Sequence, residues 1–399
     1  MKTKPTEAER IEMLRRAKLL TGAEGAAHAM RQINPDVFPV YPITPQTPII
    51  QTFSKFVADG EASTEIINVE SEHSAMSAAI GAATAGGRTM TATASQGLAL
   101  MIENIYIAAS MRLPIVLAIG NRALSGPINI HCDHSDSMLA RDSGVIQFFV
   151  ENAQEAYDFM IMSVPLAENH DVLLPVLVGQ DGFTITHTAE PILLEEDEDV
   201  QNFVGEYEIP YPLLNLQKPT TQGPFDMPDY YFEHKRQQQA AMDAVPDAFD
   251  TVANHYAALT GRRYDAIEEY RLEDAERAIV VMGSSAGTMK EVVDDLREQG
   301  EAVGLLKVRM FRPFPTKKVR EALGHVQKVA VLDRAMSFGS KGPLYMEVAE
   351  ALFGAGPSMQ NYVFGLGGRD LFPADIRQVF ENLKNPEEMR EMQYIGIRE

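Results

Sequence analysis

The sequence predicts an α/β protein with two parallel-sheet domains in series, on three observations. Short apolar runs rich in β-branched residues alternate with helical stretches, as at 66–69, 74–85 and 89–95. Polar, glycine and proline residues gather where those runs end, which is where open α/β sheets bind ligands. The alternation breaks at 193–232 and again at 261–276, then resumes at Arg277. Domains are therefore expected at 1–262, with an irregular arm at about 193–232, and at 263–399.

Composition narrows the function classes. At 399 residues, with 45% apolar and 23% charged content, the chain can bury ample core and is no disordered tail. A net charge of −21 argues against nucleic acid or an anionic membrane as the main partner, and suits a basic partner chain or simple solubility. The single cysteine, Cys132, excludes internal disulfides. It also excludes an iron-sulfur cluster held within this chain, since such clusters usually take four thiolates. The N-terminus has no apolar core behind its charges and no apolar run approaches a membrane span, so a cytoplasmic location is expected.

Taken in order, residues 7–31 read as a charged amphipathic helix broken at Gly22, with Glu24, Ala27 and Met30 in the second part. A strand then ends at Tyr41. Pro42, Pro45 and Pro48, three prolines in seven residues, force an extended loop before the helix at 49–58. Thr44 in that loop is either a turn hydroxyl or one held rigidly at a strand end and aimed into the crevice. Residues 66–69 read as a buried strand, and the helix after them carries mostly small side chains, so its backbone can approach another element closely. In Glu70-Ser71-Glu72-His73, Ser71 suits an N-cap with a glutamate favoured by the helix dipole. The other reading turns a glutamate into a dry cleft, where it exchanges a proton with a ligand.

The pattern repeats as strand 89–95, helix 98–111 and strand 115–119, followed by Asn121 and Arg122. An arginine just past a buried strand is either salt-bridged or waiting for an anion. His131-Cys132-Asp133-His134-Ser135-Asp136 fits no zinc or 2-His-1-carboxylate spacing, so no metal site is expected, and the stretch reads as a polar loop bordering the crevice. Thr93-Ala-Ser95-Gln96-Gly97 lacks the first glycine of a hydrolase nucleophile elbow. Helix 153–169 and strand 174–179 follow. Glu195-Glu-Asp-Glu-Asp199 reads as a solvated acidic run, and Pro210, Pro212, Pro219, Pro224 and Pro228 mark an arm or interface element. After helix 234–259 and a charged linker, the second domain shows strands near 278–283, 303–308, 329–333 and 360–364. Gly365-Leu-Gly367-Gly368 could cradle a phosphate, but no Walker P-loop and no full dinucleotide fingerprint occurs.

With these pieces in place the chain resembles the α chain of the multi-subunit pyruvate (2-oxoacid):ferredoxin oxidoreductases. The resemblance rests on seven motifs in order: Tyr41-Pro-Ile-Thr-Pro45, Glu70-Ser-Glu72-His, Thr93-Ala-Ser-Gln-Gly97, Asn121-Arg122-Ala, Asp133-His134-Ser-Asp136, Phe311-Arg-Pro-Phe314 and Gly365-Leu-Gly-Gly-Arg-Asp370. It implies a pyrimidine-type thiamine-diphosphate-binding domain followed by a smaller transketolase C-terminal-like domain. It implies oxidative decarboxylation of pyruvate to acetyl-coenzyme A, with electrons passed to ferredoxin. Glu72 would hydrogen-bond the cofactor's aminopyrimidine and favour its imino tautomer, the base for the thiazolium carbon. Thr44 and Arg122 would hold the substrate's carboxylate and carbonyl, and Pro42, Ile43, Ser95, Gln96 and Gly97 would border the cofactor.

The Gly-Asp-Gly anchor for Mg²⁺ and diphosphate is absent, since Gln180-Asp181-Gly182 lacks its first glycine and its downstream asparagine. A separate β subunit is therefore expected to carry the diphosphate, the Mg²⁺ and a [4Fe-4S] cluster, alongside γ and ferredoxin-like δ subunits. Coenzyme A is the implied co-substrate. Another 2-oxoacid (2-oxoglutarate, 2-oxoisovalerate or oxalate), a non-redox thiamine enzyme and a non-catalytic scaffold are the alternatives.

Overall fold

A four-residue strand, β1 (Lys18–Thr21), stands near the start of the computed structural model, which describes residues 16–384 and 392–398. It pairs antiparallel with β8 (Ala189–Ile192), so 18–21 is strand where helix was expected; the pairing with a distant segment overrides local propensity. The earlier part of that expected helix, before residue 16, lies outside the described residues. Thr21 then caps α1 (Gly22–Ile33) in a reciprocal box, its Oγ1 accepting from the Glu24 amide at 3.2 Å while its own amide donates to Glu24 Oε2 at 2.8 Å.

The larger sheet contains β2 (Val37–Val40), β3 (Glu65–Asn68), β4 (Thr89–Thr93), β5 (Ile115–Asn121), β6 (Ile146–Phe149) and β7 (Val176–Asp181). These six are parallel, and β12 (Met310–Arg312) joins antiparallel at one edge, giving the order β12-β6-β7-β5-β4-β2-β3. Strands β4 to β7 are buried along their whole length, as strands covered by helices on both faces must be. On one face α1, α6 (Ala153–Ala167) and α8 (Tyr231–Thr260) bury Met30, Tyr157 and Phe249. On the other, α3 (Glu72–Ala85) and α4 (Ser95–Ser110) bury Met76, Ala79, Met101 and Ile105 against Leu117 and Ile119. Helix α2 (Thr47–Ala58) follows the proline loop. β3 is an edge strand and only half-buried, so the expectation of a buried strand at 66–69 is corrected: β2 alone flanks it.

The second sheet has β9 (Ile267–Tyr270), β10 (Arg277–Val281), β11 (Val303–Val308), β13 (Lys328–Asp333), β14 (Ser358–Val363) and β15 (Gln393–Tyr394), in the order β15-β14-β13-β10-β11-β9. All are parallel except β9, which runs antiparallel to β11 out of the stretch expected to be linker. Helices α9 (Ser285–Glu298), α10 (Thr316–Leu323), α11 (Pro343–Ala351) and α12 (Pro373–Asn382) cover it. Directly after β11 the chain crosses to the first sheet and becomes β12.

The acidic run at 195–199 is not simply solvated. Asp197 opens α7 (Asp197–Val204), and its carboxylate takes both terminal nitrogens of Arg31 at 2.7 and 2.6 Å. Residues 205–230 have no regular structure and leave Leu216 and Phe225 exposed.

Candidate active site

Strand order determines where a crevice opens. β3 lies on one side of β2 and β4 on the other, so the connections leaving β2 and β4 diverge at their carboxyl ends. This is the topological switch point of the sheet. Around it stand the loop at 41–48, the first turns of α3 and α4, and the residues following β5.

Glu72 is the first residue of α3. Ser71 caps that helix, accepting from the Ser74 amide at 3.2 Å, while Glu70 faces solvent and takes the Ser74 hydroxyl, a bond that lowers its proton affinity. Glu72 is 7% exposed. Cap and inward carboxylate are thus separate residues of one motif. A Cβ on Gly97 would lie 2.6 Å from Glu72 Oε1 and 2.3 Å from Thr93 Oγ1, so only glycine leaves room for this carboxylate against α4. Thr93 Oγ1 is itself buried with no hydrogen-bond partner among the described residues.

Arg122 is 7% exposed, and its guanidinium is held by two backbone carbonyls, those of Asn129 and Thr44, each at 2.9 Å. Among the described residues no carboxylate pairs with it. Of the two alternatives open for this arginine, the internal salt bridge is therefore not the one formed. Thr44 is brought to Arg122 through its carbonyl, and its side chain lies in an exposed position. Pro42 is exposed and Ile43 half-buried in the same loop. Ser95, at φ +48°, turns the chain from β4 into α4, and its hydroxyl donates to the Ala123 carbonyl at 2.6 Å beside Gln96 Oε1 at 2.7 Å. Glu72 is thus grouped with Gly97, and Thr44 with Arg122; among the described residues no hydrogen bond joins the two groups directly.

What lies between them is Asp136, in the stretch expected to be a polar loop bordering the crevice. That expectation is corrected. Asp133, His134 and Asp136 are all buried, and 135–139 is a short helix, α5 (Ser135–Leu139). Asp136 Oδ2 accepts from the amides of Ser95 and Arg122, both at 3.0 Å, and Oδ1 from Asn121 Nδ2 at 2.9 Å and the Ser137 amide at 2.7 Å. Burial pushes its carboxyl up to about 6, against these hydrogen bonds. The signal available was Ser135-Asp136 ahead of Met138-Leu139, a helix-start pattern too short to stand out.

The second sheet's domain braces this region. Asp181, at the end of β7, accepts from Arg334 Nη1 at 2.7 Å and from the Ser284 hydroxyl at 2.6 Å, and His134 Nε2 lies 2.7 Å from it. Burial opposes its ionisation, but Arg334 and His134 outweigh that and hold it well below the usual carboxylate range. Cys132, His134 and Asp181 have ligand atoms within 4.8 Å of one another, yet the Arg334 guanidinium already supplies the positive charge there. The glycine turn is no free phosphate cradle: the Gly367 amide donates to Asp133 Oδ2 at 3.2 Å and the Gly368 amide to the Cys132 carbonyl at 2.7 Å. Cβ atoms at Gly367 and Gly368 would each lie 2.3 Å from an atom of Asn129 or His131, so these glycines serve close packing under the loop that holds Arg122. Further along the seam Lys307 is buried among Glu151, Glu155 and Glu268, with Arg309 and Lys290 paired to the same carboxylates.

Comparison with known proteins places this geometry in context. The family model described as pyruvate flavodoxin/ferredoxin oxidoreductase, thiamine diphosphate-binding, matches residues 28–254, and that of pyruvate:ferredoxin oxidoreductase core domain II matches 275–376. Pyruvate synthase subunit PorA of Thermotoga maritima is 56% identical over 95% of this chain and 98% of its own length. The PorA subunit of Methanothermobacter thermautotrophicus is 46% identical over 96% and 98%. Ketoisovalerate oxidoreductase subunit VorA of Pyrococcus abyssi is 41% identical over 92% and 93%. The solved 2-oxoglutarate:ferredoxin oxidoreductase of Magnetococcus marinus, with 2-oxoglutarate, coenzyme A and succinyl-CoA bound, shares the fold at a TM-score of 0.72 and 20% identity. That match covers 94% of this chain and 66% of the solved one.

Proposed function

Because the chain belongs to the pyruvate:ferredoxin oxidoreductase family, we propose that it is the α subunit that receives the 2-oxoacid in a pyruvate synthase, working only with partner subunits. The observation that carries the reading is Arg122: a nearly buried guanidinium oriented by two carbonyls and left without an anionic partner among the described residues. A small carboxylate supplies what it lacks. Thr44 belongs to the same subsite through the carbonyl that orients Arg122.

Thiamine diphosphate, when bound, supplies the carbon nucleophile for the 2-oxo carbon and accepts the electron pair left by CO₂. The chain offers it a fitting half-site: Glu72 is nearly buried, the absence of a Cβ at Gly97 leaves room for its carboxylate, and beside it Thr93 Oγ1 is an orphaned polar atom. In this reading Glu72 holds a proton at its carboxylate for a pyrimidine ring nitrogen. Pro42, Ile43, Ser95, Gln96 and Gly97 form the surrounding wall. The diphosphate, Mg²⁺ and a [4Fe-4S] cluster belong to a β partner, alongside γ and ferredoxin-like δ subunits, which agrees with Asp181 being committed to Arg334 and Ser284. Coenzyme A is the acyl acceptor and ferredoxin the electron acceptor. No helix among the described residues is long and apolar enough to cross a membrane, and a cytoplasmic location is part of the proposal. The division near residue 262 is supported by the two sheets and the spans of the two family models.

Pyruvate is preferred because the PorA subunits of Thermotoga maritima and Methanothermobacter thermautotrophicus, at 56% and 46% identity, are more similar than VorA at 41%. The test is coenzyme A-dependent ferredoxin reduction by the assembled complex with pyruvate, 2-oxoisovalerate, 2-oxoglutarate and oxalate in parallel. A higher kcat/KM for any of the last three overturns the substrate assignment.

A further inference from the structure

The geometry points to Asp136 as a positioning residue for the 2-oxoacid site, acting through the backbone of Arg122. The inference rests on Arg122 being the anion site. β4 and β5 are neighbouring parallel strands, with Thr93 opposite Ile119, and the chain leaves both at adjacent corners. One carboxylate, fully buried, holds both corners. Its Oδ2 receives the amide of Ser95, in the left-handed region, and the amide of Arg122, while Asn121 and Ser137 occupy Oδ1. A residue at φ +48° needs such support to persist.

The division of labour on Arg122 follows from the bonds. Asn129 and Thr44 carbonyls hold the head of the side chain, and Asp136 holds the amide at its base. Together they fix both ends of a long, rotamer-rich side chain, so that its charge meets the substrate already ordered. All four partners of Asp136 are donors. An amide in its place presents one acceptor and one donor, and the donor end then confronts an N–H. Asp136→Asn therefore preserves shape while breaking one corner, and the Arg122 backbone is free to shift.

The test uses the complex assembled from this chain and its partner subunits, with oxamate, a non-reacting isostere of pyruvate, titrated by calorimetry beside steady-state kinetics. Asp136→Asn is expected to raise the oxamate Kd and the pyruvate KM about ten- to hundredfold, with a smaller fall in kcat. In an Arg122→Ala background the same change should add less than about threefold, because coupled residues are not additive. Full additivity, or an unchanged Kd and KM, overturns the inference alone. An Arg122→Ala complex with wild-type oxamate affinity overturns the anion-site reading and this inference with it. If Asp136→Asn does not assemble, Asp136→Glu, which keeps the charge but displaces it, carries the same test. If neither assembles, the carboxylate is a determinant of the fold and the positioning role is overturned.

Discussion

Gly97→Ala displaces the Glu72 carboxylate, together with the Thr93 hydroxyl that would lie 2.3 Å from the new methyl, without changing the carboxyl group itself. The new methyl would lie 2.6 Å from Glu72 Oε1 and 2.8 Å from its Cγ. Restoring an ordinary contact of roughly 3.5 Å moves the carboxylate by about 1 Å. The strain from overpacking is about 1–3 kcal/mol, offset by about 1 kcal/mol from alanine's better helix propensity, so Tm should change little. Function should change much more, since a misplacement of about 1 Å can slow a reaction roughly a hundredfold. The assay is exchange of the thiazolium C2 proton of thiamine diphosphate in the assembled complex. Gly81→Ala on α3 is the control: nothing lies within 4 Å of its Cβ position, so it should be neutral or stabilising and leave exchange alone. Wild-type exchange in an intact Gly97→Ala complex would refute the claim that Glu72 acts from this position.

Glu72→Gln should assemble yet lose C2 exchange by about a hundredfold or more, as expected when a proton-sharing group becomes an amide; an unchanged rate would reduce Glu72 to a helix-end charge. Arg122→Ala should lower kcat/KM for pyruvate by roughly tens to thousands of fold, corresponding to about 2–5 kcal/mol, with coenzyme A and ferredoxin kinetics little altered. Arg122→Lys should recover only part of that, since a point charge cannot reproduce a two-pronged contact. The isolated chain should not bind thiamine diphosphate with Mg²⁺ tightly, because the pyrimidine side alone leaves the diphosphate uncompensated; micromolar binding by calorimetry would contradict the shared site. At the domain seam, burial opposes ionisation of Glu268, but Lys307, Arg309 and Lys290 outweigh it and lower its carboxyl from 4.5 to about 2. A depressed carboxylate contributes stability above pH 4.5 that is lost as pH falls toward 2, so denaturant titrations across that window should show a slope that Glu268→Gln flattens.

Much of the candidate site could be read from sequence because its residues sit where strands end. Glu72, Gly97 and Arg122 each follow a short apolar run, and position after a strand is the strongest clue such folds give. Thr44 was legible only as part of a proline-rich loop; that its carbonyl rather than its hydroxyl reaches Arg122 depends on a contact no local pattern encodes. Asp136 was hidden for a related reason. Its proposed role lies in two amides, of Ser95 and Arg122, that follow the ends of two strands distant in sequence. Three of the missed strands share this character: Lys18–Thr21, Ile267–Tyr270 and Met310–Arg312 are short, mixed in polarity and defined by distant partners, whereas Ile146–Phe149, also missed, is buried throughout. β3 shows the converse, an apolar run that pattern alone cannot tell from a central strand.

Strand β12 bears on how this chain can be made and cut. A ribosome releases β6 long before residues 310–312 emerge, so the nascent first sheet has an unpaired edge until the second domain is largely synthesised. Unpaired edges recruit other strands, and the nascent chain depends on its own later segment arriving first. The same dependence makes the junction near residue 262 a poor place to divide the gene. A fragment ending there carries both family motifs around Glu72 and Arg122 but lacks the strand that seals its sheet and the Arg334 that neutralises Asp181. Of two polypeptides produced by such a split, the second would have to lend a strand to the first for the larger sheet to be complete.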